Sequence, residues 1–216
     1  MSLLDWLFPP KCPFCGKVLP HQGICPDCRR ELPWAEVVVK EGPGYGRCAA
    51  PLRYEGLARE AILRFKFSGK VGAAAVFGEL VASAAAEAFP GEFDAVTYVP
   101  VSRRRLKERG FDQARMIAEA AGRLWDTKPL ALLRKTEDNP AQSGLEGAAQ
   151  RRANVIGVYE ASREAADRRI LLIDDVVTTG STLSECVRVL RMAGAKSVVC
   201  AAVAQTSLEH DSQKDT

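Results

Sequence analysis

Apolar residues recur at every third or fourth position over Ala73–Phe89, with Val76, Phe77, Leu80, Val81, Ala84 and Ala88 on one side. That spacing predicts an amphipathic helix buried along one stripe. Ala58, Ala61, Ile62 and Phe65 mark a shorter helix with the same period. A third begins after Asp112, a residue able to cap first-turn amides, and presents Ala114, Ile117, Ala118, Ala121 and Leu124. A fourth runs from about Ser181 to Ala193 behind Leu183, Cys186, Val187 and Leu190, with Gly194 as its C-terminal cap. Between these lie apolar-rich runs at Phe93–Val99, Ile170–Ile173 and Ser197–Ala204. They read as strands, and strand, loop, helix, strand in that order implies a parallel sheet covered by helices.

Ligands of such α/β sheets sit beyond the carboxyl ends of the strands, which selects Val99–Arg103 and Asp174–Thr182. Gly42-Pro43-Gly44-Tyr45-Gly46 is the clearest linker and follows a strand-like run at Glu36–Val39. It divides the chain into a small module, residues 1–45, and an α/β domain, residues 46–216. From Arg134 to Asn154 periodicity is lost, and a long structureless stretch inside a compact domain reads as a loop closing over a site. The last residues, about 207–216, read as a mobile tail. Gly69-Lys70 lacks the surrounding residues of a nucleotide P-loop.

The 216 residues, 47% hydrophobic and 7% aromatic, suit one packed domain with a small appendage. A net charge of +3 does not by itself point to nucleic acid. Its distribution says more: Arg103, Arg104, Arg105, Lys107 and Arg109 oppose only Glu108. The apolar start, Leu3 to Phe8, is too short for a membrane span and reads as a turn packed on the protein. With no long apolar run elsewhere, the chain is expected to be cytoplasmic.

Four of the seven cysteines form two knuckles, Cys12-Pro13-Phe14-Cys15-Gly16 and Cys25-Pro26-Asp27-Cys28. Each CxxC turn points two thiolates at one place, and two turns supply a tetrahedral set for structural Zn²⁺. Two disulfides or a redox pair are the alternatives. Lys11, Lys17, Arg29 and Arg30 could offset the charge of a four-thiolate site, and His21 is a spare ligand. Ligand spacing does not tell whether the knuckle only organises its neighbours or also touches nucleic acid. Cys48, Cys186 and Cys200 are assigned to core packing.

Asp174-Asp175-Val176-Val177-Thr178-Thr179-Gly180-Ser181-Thr182 leaves one predicted strand and opens the next helix. Two adjacent carboxylates repel each other, so their pairing needs a purpose: ribose hydroxyls can donate to them, and a divalent metal can offset the repulsion. The hydroxyls and amides around Gly180 then stand at a helix N-terminus, where the dipole favours a phosphate. The spacing between the two groups matches the reach of one ribose 5-phosphate.

Ile170–Thr182 closely resembles the phosphoribosyl-pyrophosphate (PRPP) motif of type I phosphoribosyltransferases. The whole chain resembles the ComF/ComFC-like branch of that family. The resemblance is carried by the paired CxxC knuckles, Tyr54 to Phe67, Val99-Pro100-Val101, Arg109 to Gln113, Arg134 with Gln142, and Arg151 to Asn154. It implies that Asp174 and Asp175 hold the ribose hydroxyls and that Thr178, Thr179, Gly180, Ser181 and Thr182 hold the 5′-phosphate. It further implies that Pro100, Ser102 and Arg103 face the pyrophosphate, Mg²⁺ accompanies PRPP, and a flexible loop with Arg134 and Arg151 closes over it. Ser102 stands where the branch often has a second proline, and Asp112 where it often has asparagine.

The expected function is that of a PRPP-binding, phosphoribosyltransferase-like protein linked to natural transformation and handling of imported single-stranded DNA. Competence proteins and single-stranded DNA are its expected partners. Two other readings use the same site: an active phosphoribosyltransferase of nucleotide metabolism or salvage, or a PRPP-sensing regulator or scaffold. For an enzyme, Lys66, Arg103, Arg109, Arg134 and Arg151 are the cations that could stabilise departing pyrophosphate, although any one of them could instead be a solvated surface charge.

Overall fold

The hydrophobic pattern is satisfied by a parallel sheet between two layers of helices in the computed structural model, which describes residues 9–35, 40–42, 44–68, 72–136 and 157–206. Several sequence expectations lie outside the described residues: the turn at 3–8, the run Glu36–Val39, Gly69-Lys70, Gln142, Arg151, Asn154 and the tail at 207–216.

The described elements are α1 (Pro26–Glu31), β1 (Lys40–Gly42), β2 (Gly46–Ala49), β3 (Leu52–Arg53), α2 (Gly56–Ser68), α3 (Gly72–Ala88) and β4 (Ala95–Tyr98). They continue with α4 (Arg103–Arg109), α5 (Gln113–Leu124), β5 (Leu133–Lys135), β6 (Tyr159–Ala161), β7 (Arg169–Val177), α6 (Ser181–Met192) and β8 (Ser197–Gln205). The main sheet runs β1-β2-β8-β7-β4, with β3 also paired to β8. Only the β1–β2 pair is antiparallel in it.

β7 is the centre. Ile170, Leu171, Leu172 and Ile173 are all fully buried, as a strand covered on both faces requires. Period-two alternation sends Leu171 and Ile173 into the core of α2, α3 and α5, and Ile170 and Leu172 into the core beneath α6. α3 and α5 approach closely because position 78 is glycine: a Cβ there would lie 2.4 Å from that of Ala120. The knuckle is not a free appendage. Phe14, fully buried, meets Phe77 edge-on at 5.9 Å, and Phe65 meets the same ring at 5.4 Å. Backbone bonds from Ala35 to Pro51 and from Arg53 to Pro33 tie it to the sheet edge.

Four details depart from the periodicity reading. The tetrad at 170–173 is part of a nine-residue strand that contains Asp174 and Asp175. The strand read at Phe93–Val99 is confined to Ala95–Tyr98, because Phe93 turns aside to pack edge-on against Trp125. Leu124 ends α5 exposed instead of joining its buried stripe. The basic run is a helix, α4: Ser102 accepts from the Arg105 amide at its start, and Gly110, at φ 80°, ends it. Among the described residues no helix is long and apolar enough to cross a membrane.

Candidate functional site

The carboxyl end of β7 and the start of α6 form one wall of a cleft of about 360 Å³, within the usual range for a small-ligand site. Asp174, Asp175, Val176, Thr178 and Thr182 line that wall. The opposite side is built by Lys66 from the last turn of α2, Arg105 and Arg109 from α4, and Lys135 and Tyr159 from the β5–β6 ribbon. The structure therefore brings two carboxylates, two threonine hydroxyls and four cations to one space.

A larger cavity, about 680 Å³, lies between the knuckle and α2, bounded by Pro10, Cys12, Cys15, Arg64 and Phe65. Its wall is mainly apolar and no acids converge on it, so the charged cleft is the better candidate for chemistry.

The two acids differ. Asp175 makes an ion pair with Lys66 at 3.0 Å. Burial works against the Lys66 charge, but Asp175, assisted by Asp174, outweighs it and holds the lysine pKa above its usual value. Asp174 accepts only from the Asp175 amide, at 2.8 Å, among the bonds described. Burial pushes its carboxyl up to about 8, with the adjacent Asp175 charge adding to the effect. Asp175 thus stands paired with a cation, while Asp174 is held towards its protonated form near neutrality.

The hydroxyl residues divide their tasks. Thr178 and Thr182 face the cleft. The hydroxyls of Thr179 and Ser181 bond to each other at 2.8 Å and brace the turn. Gly180 is the N-cap of α6 with φ 73°, a left-handed conformation that favours glycine, and no side chain caps the helix there. First-turn amides so placed favour an anion.

On the far wall, α4 has two faces. Arg105 and Arg109, one turn apart, line the cleft, while Arg103, Arg104 and Lys107 are exposed. Burial pushes the Arg109 pKa down, as does its neighbour Arg105. Ser102, expected at the pyrophosphate turn, is buried as the cap of α4, and Arg103 does not line the cleft. Pro100 and Val101 do. Asp112 holds that turn: its two carboxylate oxygens accept from the amides of Val101 at 2.9 Å and Arg115 at 3.0 Å. Burial raises its pKa, against the pull of those two amides.

Arg134 pairs with Glu160 on the outer face of the ribbon. Strand alternation points the next residue, Lys135, into the cleft beside Tyr159 instead. Lys135 and Tyr159 escaped the sequence reading because their ribbon pairs Lys135 with Tyr159 across a long sequence gap. The alternation of Leu133 (buried) and Arg134 (exposed) was too short a signal to find it.

At the knuckle, the Sγ atoms of Cys12, Cys15, Cys25 and Cys28 all lie within 4.8 Å of one another, and none of the seven cysteines is in a disulfide. Four sulfurs so close fit one tetrahedral zinc ion, with no room left for His21, which is exposed. Burial pushes the Cys28 thiol up, while at Cys12 the backbone amides, Cys25 first among them, outweigh it and bring the pKa down to about 7. Cys25 also accepts from the Cys28 amide, capping α1. Of the four nearby cations, Lys17 and Arg30 are engaged by Asp27.

A largely parallel sheet with an interior strand that ends in paired acids, followed by a hydroxyl-rich helix N-terminus, defines a phosphoribosyltransferase-type α/β protein with a cysteine-rich zinc module. The Phosphoribosyl transferase domain model matches residues 107–215, and the Double zinc ribbon domain model matches residues 3–62. The Competence protein ComFC of Streptococcus pneumoniae is 30% identical over 187 residues, covering 87% of this chain and 77% of that protein. The ComFC of Bacillus subtilis is 28% identical, covering 83% and 70%, and the DNA utilization protein YhgH of Escherichia coli K12 27%, covering 87% and 80%. This chain belongs to the ComFC family of phosphoribosyl transferase-domain proteins. A solved glutamine PRPP amidotransferase from Bacillus subtilis overlays with a TM-score of 0.44 at 20% identity, covering 64% of this chain and 30% of that one.

Proposed function

We propose that the cleft binds PRPP, or another ribose 5-phosphate ligand, and that the protein serves the handling of imported single-stranded DNA during natural transformation. The convergence of Asp174, Asp175, Thr178 and Thr182 with Lys66, Arg105, Arg109 and Lys135 supports this reading. In it, the acids accept from ribose hydroxyls, the start of α6 holds the 5′-phosphate, and the cations face the pyrophosphate. Mg²⁺ fits as an ion that arrives on the pyrophosphate: Asp175 is already paired with Lys66, and Asp174 favours its proton, so the chain alone is a weak magnesium site. When bound, the metal neutralises charge on the leaving oxygens.

The arrangement of α4 also supports a second reading, transfer of the phosphoribosyl group. Displacement at the anomeric carbon needs stabilisation of departing pyrophosphate more than a strong base, and Arg105 and Arg109, which line the cleft, are suited to supply it. The outward cations of α4, Arg103, Arg104 and Lys107, suit a phosphate backbone. A four-thiolate zinc module suits a reducing, cytoplasmic place of action.

Calorimetric titration with PRPP and Mg²⁺ tests the proposal. Binding should be lost, by about tenfold or more, when Asp174 and Asp175 are both replaced by asparagine. A protein that takes up no PRPP or ribose 5-phosphate at any magnesium concentration would refute it. Release of pyrophosphate by the parent, absent from the double variant, separates transfer from binding alone.

A further inference from the structure

Gly180 takes a left-handed conformation with no side chain of its own to hold it there. The support comes from the segment that the sequence marked as a linker. Tyr45 is buried, and its ring edge lies against Gly180: a Cβ at 180 would fall 2.1 Å from Cε1 and 2.6 Å from Cδ1. The same ring also lies against Gly42, where a Cβ would fall 1.9 Å from Cζ and 2.1 Å from Cε1. Gly44, at φ 90°, lies so close to Ser184 that a Cβ would be 3.0 Å from its Oγ, and that hydroxyl donates to the Gly180 carbonyl at 2.9 Å. The Tyr45 carbonyl accepts from the Cys200 thiol of β8, at 3.9 Å.

We propose that Tyr45 is a positioning residue for the phosphate loop: its ring, a wedge packed against both Gly42 and Gly180, fixes the turn that aims Thr178 and Thr182 into the cleft. The inference rests on the reading of that loop as a phosphate clasp. A Cβ at either glycine would collide with the ring, so the strap and the loop fit each other. Without the ring, Gly180 regains the backbone freedom that glycine has in an open loop, and the donors around it are no longer preset.

Amide hydrogen exchange of the full-length, ligand-free protein tests the wedge directly. In Tyr45→Ala, exchange over Thr179–Thr182 should rise by about tenfold or more, while the first half of β7 stays as in the parent. Tyr45→Phe keeps the ring and should behave as the parent. Tyr45→Leu gives the same readout as Tyr45→Ala if the alanine variant does not fold. Unchanged exchange in the loop, or a rise spread evenly through the sheet, overturns the proposal. Titration with ribose 5-phosphate then reads the consequence: affinity about tenfold lower in Tyr45→Ala and restored in Tyr45→Phe. Alanine-variant affinity equal to the parent's also overturns it. If the parent binds no ribose 5-phosphate, the clasp reading fails, while the exchange data still decide whether the ring holds the loop.

Discussion

The knuckle gathers four thiols from the short stretch between Cys12 and Cys28, whereas the cleft draws its charges from positions as far apart as Lys66 and Asp175. Both bring like groups together, and each disposes of the repulsion differently. A zinc ion would offset half of the thiolate charge and fix their geometry locally. The cleft has only its own residues until a ligand arrives, so one acid is paired with Lys66 and the other is forced towards its neutral form. The knuckle is organised to stabilise the fold, while the cleft carries a stored electrostatic cost of the kind expected where a ligand is to be received.

Breaking the metal site should give the largest effect. Cys25→Ser removes a buried ligand and the cap of α1, and it loosens the Phe14 contact with Phe77. Zinc content should fall to background and the melting temperature by on the order of 10 °C. If the melt is unchanged, the knuckle is not a support of this core.

The cleft should respond in the opposite sense. Asp174→Asn removes a carboxyl that is disfavoured as an anion, so the ligand-free protein should gain about 0.5–2 kcal/mol at pH 8 even as ligand binding is lost. Below the ordinary aspartate value both folded and unfolded chains hold this proton, and the group favours neither. Between there and about 8 the unfolded chain has released it and the folded one has not, so its contribution to stability falls as pH rises through that window. Urea melts from pH 5 to 8 should show this decline in the parent and a flatter profile in Asp174→Asn.

The smallest effect should come from the outer face of α4. Replacing Arg103, Arg104 and Lys107 by glutamine should weaken single-stranded DNA binding and lower its salt slope by about 0.7 per lost phosphate contact. PRPP affinity should stay the same, because Arg105 and Arg109 remain in the cleft. A parallel loss of PRPP binding would show that the two faces of the helix do not act separately.

The helices at Ala73–Phe89 and after Asp112, the strand at Ile170 and the four zinc ligands were legible because each rests on a local pattern: a period of 3.6, an apolar tetrad, or two paired turns. The basic run was legible as charge but not as a helix with two faces, since its cap, Ser102, and its left-handed stop, Gly110, show their roles only when the backbone is placed. Lys135 and Tyr159 were not legible at all, because the ribbon that turns them inward pairs residues remote in sequence.

From the order of residues alone came the α/β class, the cysteine ligand set and the acidic-then-hydroxyl segment, all of which depend on neighbours a few positions away. Tertiary structure alone decided which cations face Asp174 and Asp175, that Arg134 points outward while Lys135 points in, and that Tyr45 rests on Gly180. Those outcomes depend on which faces of separate elements meet, and a side chain's direction is set by the packing of its whole element as much as by its own identity.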